Sequence, residues 1–197
     1  MGMAKQYDRT ELLDRAVEVF RRQGYNGTST ADLVAELGVN RKSMYAEFGS
    51  KQQLFEAVLE HYNENQLSDV LSSLEAPGAS LNAIRQAFRR YAAASEGGMR
   101  GLGCLMCNTA VERASLDPGS KRYVNQYLER IAAAFRSALD NAKQNGEIDT
   151  SINIDTLAGF FTTLLIGFAA SVRAEASPEQ VWAAYEVVLT TIDGLLS

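Results

Sequence analysis

The sequence is poor in several residue types, and their scarcity argues against whole classes of protein. It has three prolines, two cysteines, one histidine and one tryptophan in 197 residues. Few prolines among abundant Ala, Leu, Glu and Gln favour helices. His61, Cys104 and Cys107 are too few for a structural zinc site, so we expect no metal and no cofactor. Two cysteines without an export signal indicate a reducing compartment.

Positive charge is also scarce. The chain carries 19 Lys and Arg against 24 Asp and Glu, a formal net charge of −5. This balance argues against a non-specific DNA-coating protein, although net charge does not show where individual cations lie. Residues 1–60 hold eight basic and nine acidic residues, so any nucleic-acid contact depends on position rather than on number.

Long hydrophobic runs are missing as well. The longest membrane-like stretch, TLAGFFTTLLIGFAASV at residues 156–172, lies between Asp155 and Arg173 and is shorter than the roughly 20 residues of a membrane span. The polar segment Met1–Arg9 has no apolar core of a secretory signal. We therefore expect a cytoplasmic protein without a membrane partner, in which the apolar run is a helix buried on most sides.

Apolar residues recur at helical spacing and strand-type alternation is nearly absent, which predicts an all-α fold of about nine helices. The first helix should end at Gly24, followed by a turn in GYNGTST. Ser29, Asn40 and Ser50 stand where N-caps belong and mark the next helix starts. The helix after Ser50 is predicted to run from about Lys51 to Leu74.

The first 52 residues read as three short helices with a helix-turn-helix arrangement. Gly38 between the second and third helices allows the positive φ of a tight turn. Arg41, Lys42 and Lys51 lie at helix starts, where each cation opposes the helix dipole at a cost of roughly 0.3–1 kcal/mol. A nearby phosphate reverses that sign, so this placement predicts double-stranded DNA as the partner.

The same stretch resembles the DNA-binding domain of the tetracycline-repressor (TetR) family of bacterial regulators. The matching residues are Phe20, Gly24, Tyr25, Thr28, Ser29, Thr30, Gly38, Val39, Tyr45, Phe48, Ser50, Lys51 and Leu54. The match covers residues 9–59, and the rest is similar only in length and helical layout. The resemblance implies a DNA-binding domain at residues 1–52 and a C-terminal ligand-sensing and dimerisation domain at residues 53–197. It further implies a homodimeric repressor released from a palindromic operator by a small-molecule inducer.

Individual residues receive roles from helical spacing and from this resemblance. The expected base contacts are Arg41, Lys42, Ser43 and Ala46. The expected phosphate contacts are Ser29, Thr30, Tyr45 and Lys51. Glu47 departs from the family pattern, in which a non-acidic residue is usual at this position. An acidic side chain near the DNA backbone would be repelled, and helical spacing places Glu47 beside the core-facing side of its helix. We therefore expect it to turn away from DNA.

The last two predicted helices are apolar enough to form a dimer interface, with the alternative that they only close their own subunit's core. The expected interface residues are Leu157, Phe161, Leu164, Leu165, Phe168, Trp182, Tyr185, Leu189 and Ile192. The resemblance implies a ligand cavity in the middle of the chain. Its candidate lining is Phe88, Tyr91, Tyr123, Tyr127 and Phe135, with ordinary core packing as the alternative.

Cys104 and Cys107 are one helical turn apart, so both thiols can share a face. They are candidates for a sensor of oxidants or electrophiles, and Arg100 is a candidate for lowering a thiol pKa. Two inert buried cysteines are the alternative. A thiol oxidoreductase is disfavoured, because the βαβ context of such enzymes is missing, and no acid–base pair or phosphate loop indicates another enzyme.

Overall fold

The computed structural model describes residues 7–66, 71–112 and 118–196. Within these ranges the chain forms nine α-helices and no strand, which confirms the all-α prediction. The helices are α1 (Arg9–Gly27), α2 (Thr30–Leu37), α3 (Arg41–Phe48), α4 (Lys51–His61), α5 (Leu81–Ala94), α6 (Leu105–Val111), α7 (Pro118–Gln144), α8 (Ile154–Arg173) and α9 (Pro178–Asp193).

The first helix was predicted to end at Gly24. It kinks at this residue but continues beyond it. Gly24 has φ 72° and ψ 172°, and a further helical turn continues to Gly27. The predicted GYNGTST turn is therefore partly helical. α2 then begins with a reciprocal capping box: the Ser29 hydroxyl accepts from the Asp32 N–H at 3.1 Å, and the Asp32 carboxylate accepts from the Ser29 N–H at 2.8 Å.

Side-chain caps and one left-handed glycine also fix the next two helices. Gly38 ends α2 with φ 67° and ψ 22°, as expected for the turn of a helix-turn-helix. The Asn40 side chain accepts from the Ser43 N–H at 2.8 Å and starts α3. Ser50 accepts from the Gln53 N–H at 3.1 Å and starts α4. The three-helix head therefore has the predicted order and starts.

The helix predicted from about Lys51 to Leu74 is not α-helical throughout. The α-helical part ends at His61, and Tyr62–Gln66 form a π-helix. The Asn65 amide donates to the His61 carbonyl and contacts the His61 Nδ1, each at 3.0 Å. This side chain thus competes for the carbonyl that an ordinary helix would use, which accounts for the local change. Residues 67–70 lie outside the described residues.

The C-terminal helices pack around a cluster of phenylalanines. Phe88 of α5 lies 5.9 Å from Phe135 of α7, centroid to centroid, and 5.8 and 5.4 Å from Phe161 and Phe168 of α8. All four side chains are buried. These contacts join α5, α7 and α8 into one core, beside which the head and the thiol-bearing α6 are placed.

α8 has one buried face and one exposed face, so the prediction that it is buried on most sides is wrong. It is long and apolar enough to cross a membrane, yet only 28% of its most apolar window is buried within the protomer. Phe160 of α8 is 46% exposed and Val187 of α9 is 65% exposed. An apolar face of this kind calls for a protein partner.

Candidate nucleic-acid interface and thiol cluster

α3 presents a short basic face to solvent. Its apolar residues Met44 and Phe48 are buried against the head, which fixes the rotation of the helix. Arg41, Lys42 and Ala46 are consequently exposed on the outward side. Ser43, at the edge of this face, is half-buried. The four residues predicted to contact bases are thus on or beside one surface of α3.

The single acidic residue of α3 points away from that surface. The Glu47 side chain is only 8% exposed, and its carboxylate lies 3.6 Å from Nε of Arg9 on α1. The expectation that Glu47 turns away is confirmed. Its pairing with α1 keeps negative charge off the outward face, which would otherwise repel a phosphate backbone.

Two of the predicted phosphate contacts touch each other across the α2–α3 turn. The Thr30 and Tyr45 hydroxyls lie 3.1 Å apart, and the Arg41 guanidinium carbon is 5.5 Å from the centre of the Tyr45 ring. The Thr30 hydrogen bond, assisted by the charge of Arg41, lowers the pKa of the Tyr45 hydroxyl. Ser29 is exposed beside them; its oxygen caps α2, and its hydroxyl proton can still be donated.

Lys51 at the start of α4 makes a specific contact with the end of α1. Its Nζ donates to the Tyr25 carbonyl oxygen at 2.6 Å and lies 4.2 Å from the centre of the Tyr25 ring. Partial burial lowers the pKa of Lys51, opposed by the negative charge of Glu112. The ammonium group is therefore held in a defined position near Tyr45, whose hydroxyl feels its charge.

Both cysteines lie in a buried cluster of hydroxyl groups. The Tyr127 hydroxyl is 3.4 Å from Sγ of Cys104 and 3.3 Å from Sγ of Cys107. The Tyr62 hydroxyl lies 3.6 Å from Sγ of Cys104. Tyr91 is buried in the same cluster, where burial and then the nearby Cys104 and Cys107 raise the pKa of its hydroxyl. The cysteines are free and buried, and together with the three tyrosines we call them the thiol cluster.

The cluster shifts the pKa values of the two thiols in opposite directions. A hydrogen bond with the Cys107 thiol, followed by those with the Tyr127 and Tyr62 hydroxyls, lowers the pKa of Cys104 to about 6 despite burial. The shared hydrogen bond and burial raise the pKa of Cys107. Burial also raises the pKa of Tyr62 and Tyr127, which keeps both hydroxyls protonated.

Sequence reasoning proposed the wrong source for this pKa shift. Arg100 instead donates to the Glu175 carbonyl oxygen at 3.3 Å, and the shift of Cys104 comes from Cys107 and the tyrosines. Tyr62 was missed altogether, because it reaches Cys104 from the end of α4. Only its helical spacing from Val58 and Leu59, which marks Tyr62 as inward-facing, could have suggested this.

The five predicted ligand-lining aromatics fall into two pairs and a single residue. Tyr91 and Tyr127 belong to the thiol cluster. Phe88 and Phe135 pack on each other in the phenylalanine core, as the alternative of ordinary core packing predicts. Tyr123 is buried, and its hydroxyl accepts from Arg122 at 3.1 Å.

Five of the nine residues predicted for the dimer face are buried inside their own protomer: Phe161, Leu165, Phe168, Tyr185 and Ile192. The other four are partly exposed: Leu157, Leu164, Trp182 and Leu189. On α8 and α9 the large apolar side chains most exposed to solvent are instead Phe160 and Val187.

Room for a partner exists on this outer face. A Cβ placed on Gly159 or on Gly167 would have no atom within 4 Å.

No group of three or more His, Cys, Asp or Glu suited to a metal occurs in the part of the chain that the structure describes.

Comparisons with known proteins agree with this geometry. The family model described as bacterial regulatory proteins of the tetR family matches residues 12–58, and that of the tetracyclin repressor-like C-terminal domain matches residues 78–188. The HTH-type transcriptional regulator YezE of Bacillus subtilis (strain 168) is 32% identical over 194 residues, covering 98% of this chain and all of YezE. The HTH-type transcriptional repressor ComR of Escherichia coli (strain K12) is 31% identical, covering 91% of this chain and 86% of ComR.

Solved structures share the same architecture. A cysteine-substituted variant of the TetR-family regulator CifR, complexed with 26-base-pair operator DNA, has a TM-score of 0.83 at 26% identity, covering 95% of this chain and 98% of that one. Reduced NemR of E. coli shares the fold, with a TM-score of 0.79 at 19% identity over 96% of this chain and 97% of that one. The chain therefore belongs to the TetR family of bacterial regulatory proteins, which are helix-turn-helix DNA-binding transcriptional regulators.

Proposed function

We propose that the chain is a homodimeric repressor that binds a palindromic operator and leaves it when the thiol cluster reacts with an oxidant. The observation that best supports DNA binding is the outward face of α3, on which Arg41 and Lys42 are exposed and from which Glu47 points away. The relatives ComR, DhaR and BdcR are named repressors, and the CifR variant was solved on its operator. The head comprises residues 1–52, and residues 53–197 hold the sensor and the dimer interface in a cytoplasmic, non-enzymatic protein.

The start of α3 reads bases in the major groove. Arg41 and Lys42 are exposed in its first turn, where long cationic side chains can donate to guanine O6 and N7. Ser43 can donate or accept at a base edge, and the Ala46 methyl suits contact with a thymine methyl.

Hydroxyls and one ammonium group flank α3 and hold phosphates. Thr30 and Tyr45 are held together by their hydrogen bond, and Ser29 lies beside them at the start of α2. Lys51 lies at the start of α4, where free backbone N–H groups add to its attraction for a phosphate. These contacts orient the head and carry no base preference.

A second head is required because one α3 reads few bases. Dimers of helix-turn-helix proteins place two such helices about 34–36 Å apart, one DNA turn. We assign the interface to the outer faces of α8 and α9, centred on Phe160 and Val187. Gly159 and Gly167 lie on the same outer face and let the partner's helix approach closely.

The trigger is Cys104, whose lowered pKa makes it the more nucleophilic thiol at neutral pH. Its thiolate attacks a hydroperoxide, forming a sulfur–oxygen bond and releasing hydroxide or alkoxide. The Cys107 thiol then attacks this sulfur. A disulfide forms, the sulfenic oxygen leaves as hydroxide, and the Cys107 proton converts it to water.

Two binding measurements test this function. The protein should bind a duplex from its own promoter at least about a thousandfold more tightly than random DNA at physiological salt, and an Arg41→Ala/Lys42→Ala variant should lose that preference. Hydrogen peroxide should release the wild-type protein with a mass loss of two hydrogens, whereas Cys104→Ser should stay bound. Equal affinity for promoter and random DNA would exclude the repressor, and release of Cys104→Ser by peroxide would exclude the trigger.

A further inference from the structure

The backbone at Tyr25 is held from both sides by charged groups of different domains. Its N–H donates to Oε2 of Glu112 at 3.0 Å, and its carbonyl oxygen accepts from Nζ of Lys51 at 2.6 Å. The opposite charges of Glu112 and Lys51 also attract each other. Tyr25 thus links a carboxylate at the end of α6 to an ammonium group at the start of α4. We call these three residues the junction.

Glu112 lies directly against the break in α1. A Cβ added at Gly24 would come within 2.2 Å of Oε1 of Glu112, so a larger residue there would displace the carboxylate. Gly24 also has the positive φ that interrupts the helix. The absence of a side chain at residue 24 therefore provides both the turn and the space in which the carboxylate reaches the Tyr25 N–H.

The same two helices that meet at the junction meet again at the thiol cluster. α4 starts at Lys51, and Tyr62, directly after its last residue, lies 3.6 Å from Sγ of Cys104. α6 has Cys104 as its N-cap and Glu112 as its C-cap. At 1.5 Å per residue, each helix spans roughly 12–17 Å between these ends. Both ends of α6 are therefore anchored, one in the thiol cluster and one in the head.

We propose that Glu112 is a positioning residue for DNA binding: it holds the Tyr25 peptide and thereby sets the position of the Lys51 ammonium group on a phosphate. The inference rests on the proposed phosphate contact of Lys51. It adds a residue outside the head, at the end of the helix that begins at Cys104, and so identifies one contact through which the C-terminal domain reaches the DNA-binding surface.

The physical reason is the coupling of two hydrogen bonds through one residue, because the N–H and the carbonyl of Tyr25 belong to two successive peptide groups joined at its Cα. If the carboxylate is lost, the Gly24–Tyr25 peptide loses the hydrogen bond at its N–H and keeps the one at the Gly24 carbonyl oxygen, which accepts from the Thr28 hydroxyl at 2.6 Å. A tilt of this peptide turns the Tyr25 Cα and so moves the carbonyl oxygen that holds Lys51. Glutamine at residue 112 keeps an oxygen acceptor of the same length, so it should preserve the peptide orientation even without the charge.

The test is a double-mutant cycle measured on the promoter duplex under reducing conditions, which keeps the thiols out of the experiment. The full-length dimer is compared as wild type, Lys51→Met, Glu112→Ala and the double variant, with Glu112→Gln as the matched control. Affinity is measured at several salt concentrations, and the melting temperature is recorded for each variant. Methionine keeps the apolar length of lysine without its charge.

We expect Lys51→Met to weaken binding about tenfold and to lower the salt slope by about one. Glu112→Ala should weaken binding about fivefold, as expected for one lost hydrogen bond, and should have no further effect in the Lys51→Met background. Glu112→Gln should bind within about twofold of the wild type.

Three other results would contradict either the positioning role of Glu112 or the phosphate contact of Lys51. Losses that multiply in the double variant, or a Glu112→Gln defect as large as that of alanine, would overturn the positioning role of Glu112. An unchanged salt slope in Lys51→Met would instead show that Lys51 does not contact a phosphate, which removes that part of the proposed function. A melting temperature that falls equally in the alanine and glutamine variants, with affinity lost in both, would assign Glu112 a structural role only.

Discussion

The strongest quantitative expectation concerns how fast Cys104 is alkylated as pH changes. A pKa of about 6, against 9.0 for an ordinary cysteine, makes roughly nine-tenths of Cys104 thiolate at pH 7, compared with about one-hundredth of an ordinary thiol. Between pH 5 and pH 7 the thiolate fraction of Cys104 should rise only about tenfold and then level off, whereas that of an ordinary thiol rises about a hundredfold and keeps rising.

The assay is iodoacetamide labelling of the reduced protein from pH 5 to pH 9, with each cysteine followed by peptide mass spectrometry. Tyr127→Phe removes one hydrogen-bonding hydroxyl and should move the Cys104 midpoint upward, as should Cys107→Ala, which removes the first cause of the shift. Cys107 in the wild type should label slowly throughout. A Cys104 rate that climbs tenfold per pH unit through pH 8, with the same profile in Tyr127→Phe, would refute the hydrogen-bond explanation.

Three further predictions concern DNA reading, assembly and the core. Lys42→Ala should change which operator variants are preferred, whereas Lys51→Ala should weaken binding to all duplexes alike, as competition titrations can show. If both variants lost affinity equally on every duplex, Lys42 would have no separate role in reading bases. Val187→Glu should leave a folded monomer that no longer binds the operator, measured by light scattering and anisotropy, and a persisting dimer would move the interface elsewhere. Phe161→Ala should cost about 3–5 kcal/mol of unfolding free energy because the ring is fully buried, whereas Phe160→Ala should cost the protomer little. Similar losses for the two variants in denaturant titrations would contradict the proposal that Phe161 belongs to the core and Phe160 to the dimer interface.

The parts of the fold set by local chemistry were readable from the sequence. The caps at Ser29, Asn40 and Ser50 and the left-handed Gly38 depend on side chains within three residues, so position and residue type suffice to predict them. The orientation of Glu47 followed from the same helical spacing. For that reason the head and the outward face of α3 agree with expectation.

The parts set by distant neighbours were not readable. Which face of α8 is buried depends on where α5 and α7 lie, and a rotation of one residue exchanges Phe160 for Phe161. The thiol cluster draws Tyr62 and Tyr127 from helices far apart in the sequence, which no local spacing records. The contact of Glu112 with Tyr25 likewise joins residues 87 positions apart.

The π-helical turn after α4 separates the angular register of its two sides. A π turn accommodates an additional residue and shifts the direction of the side chains that follow it, while the residues before it keep theirs. Lys51 and the rest of α4 precede this turn, and Tyr62 lies at its first residue. Rewinding the turn into a regular α-helix would therefore change the direction of the side chains after Tyr62 and leave that of Lys51 unchanged.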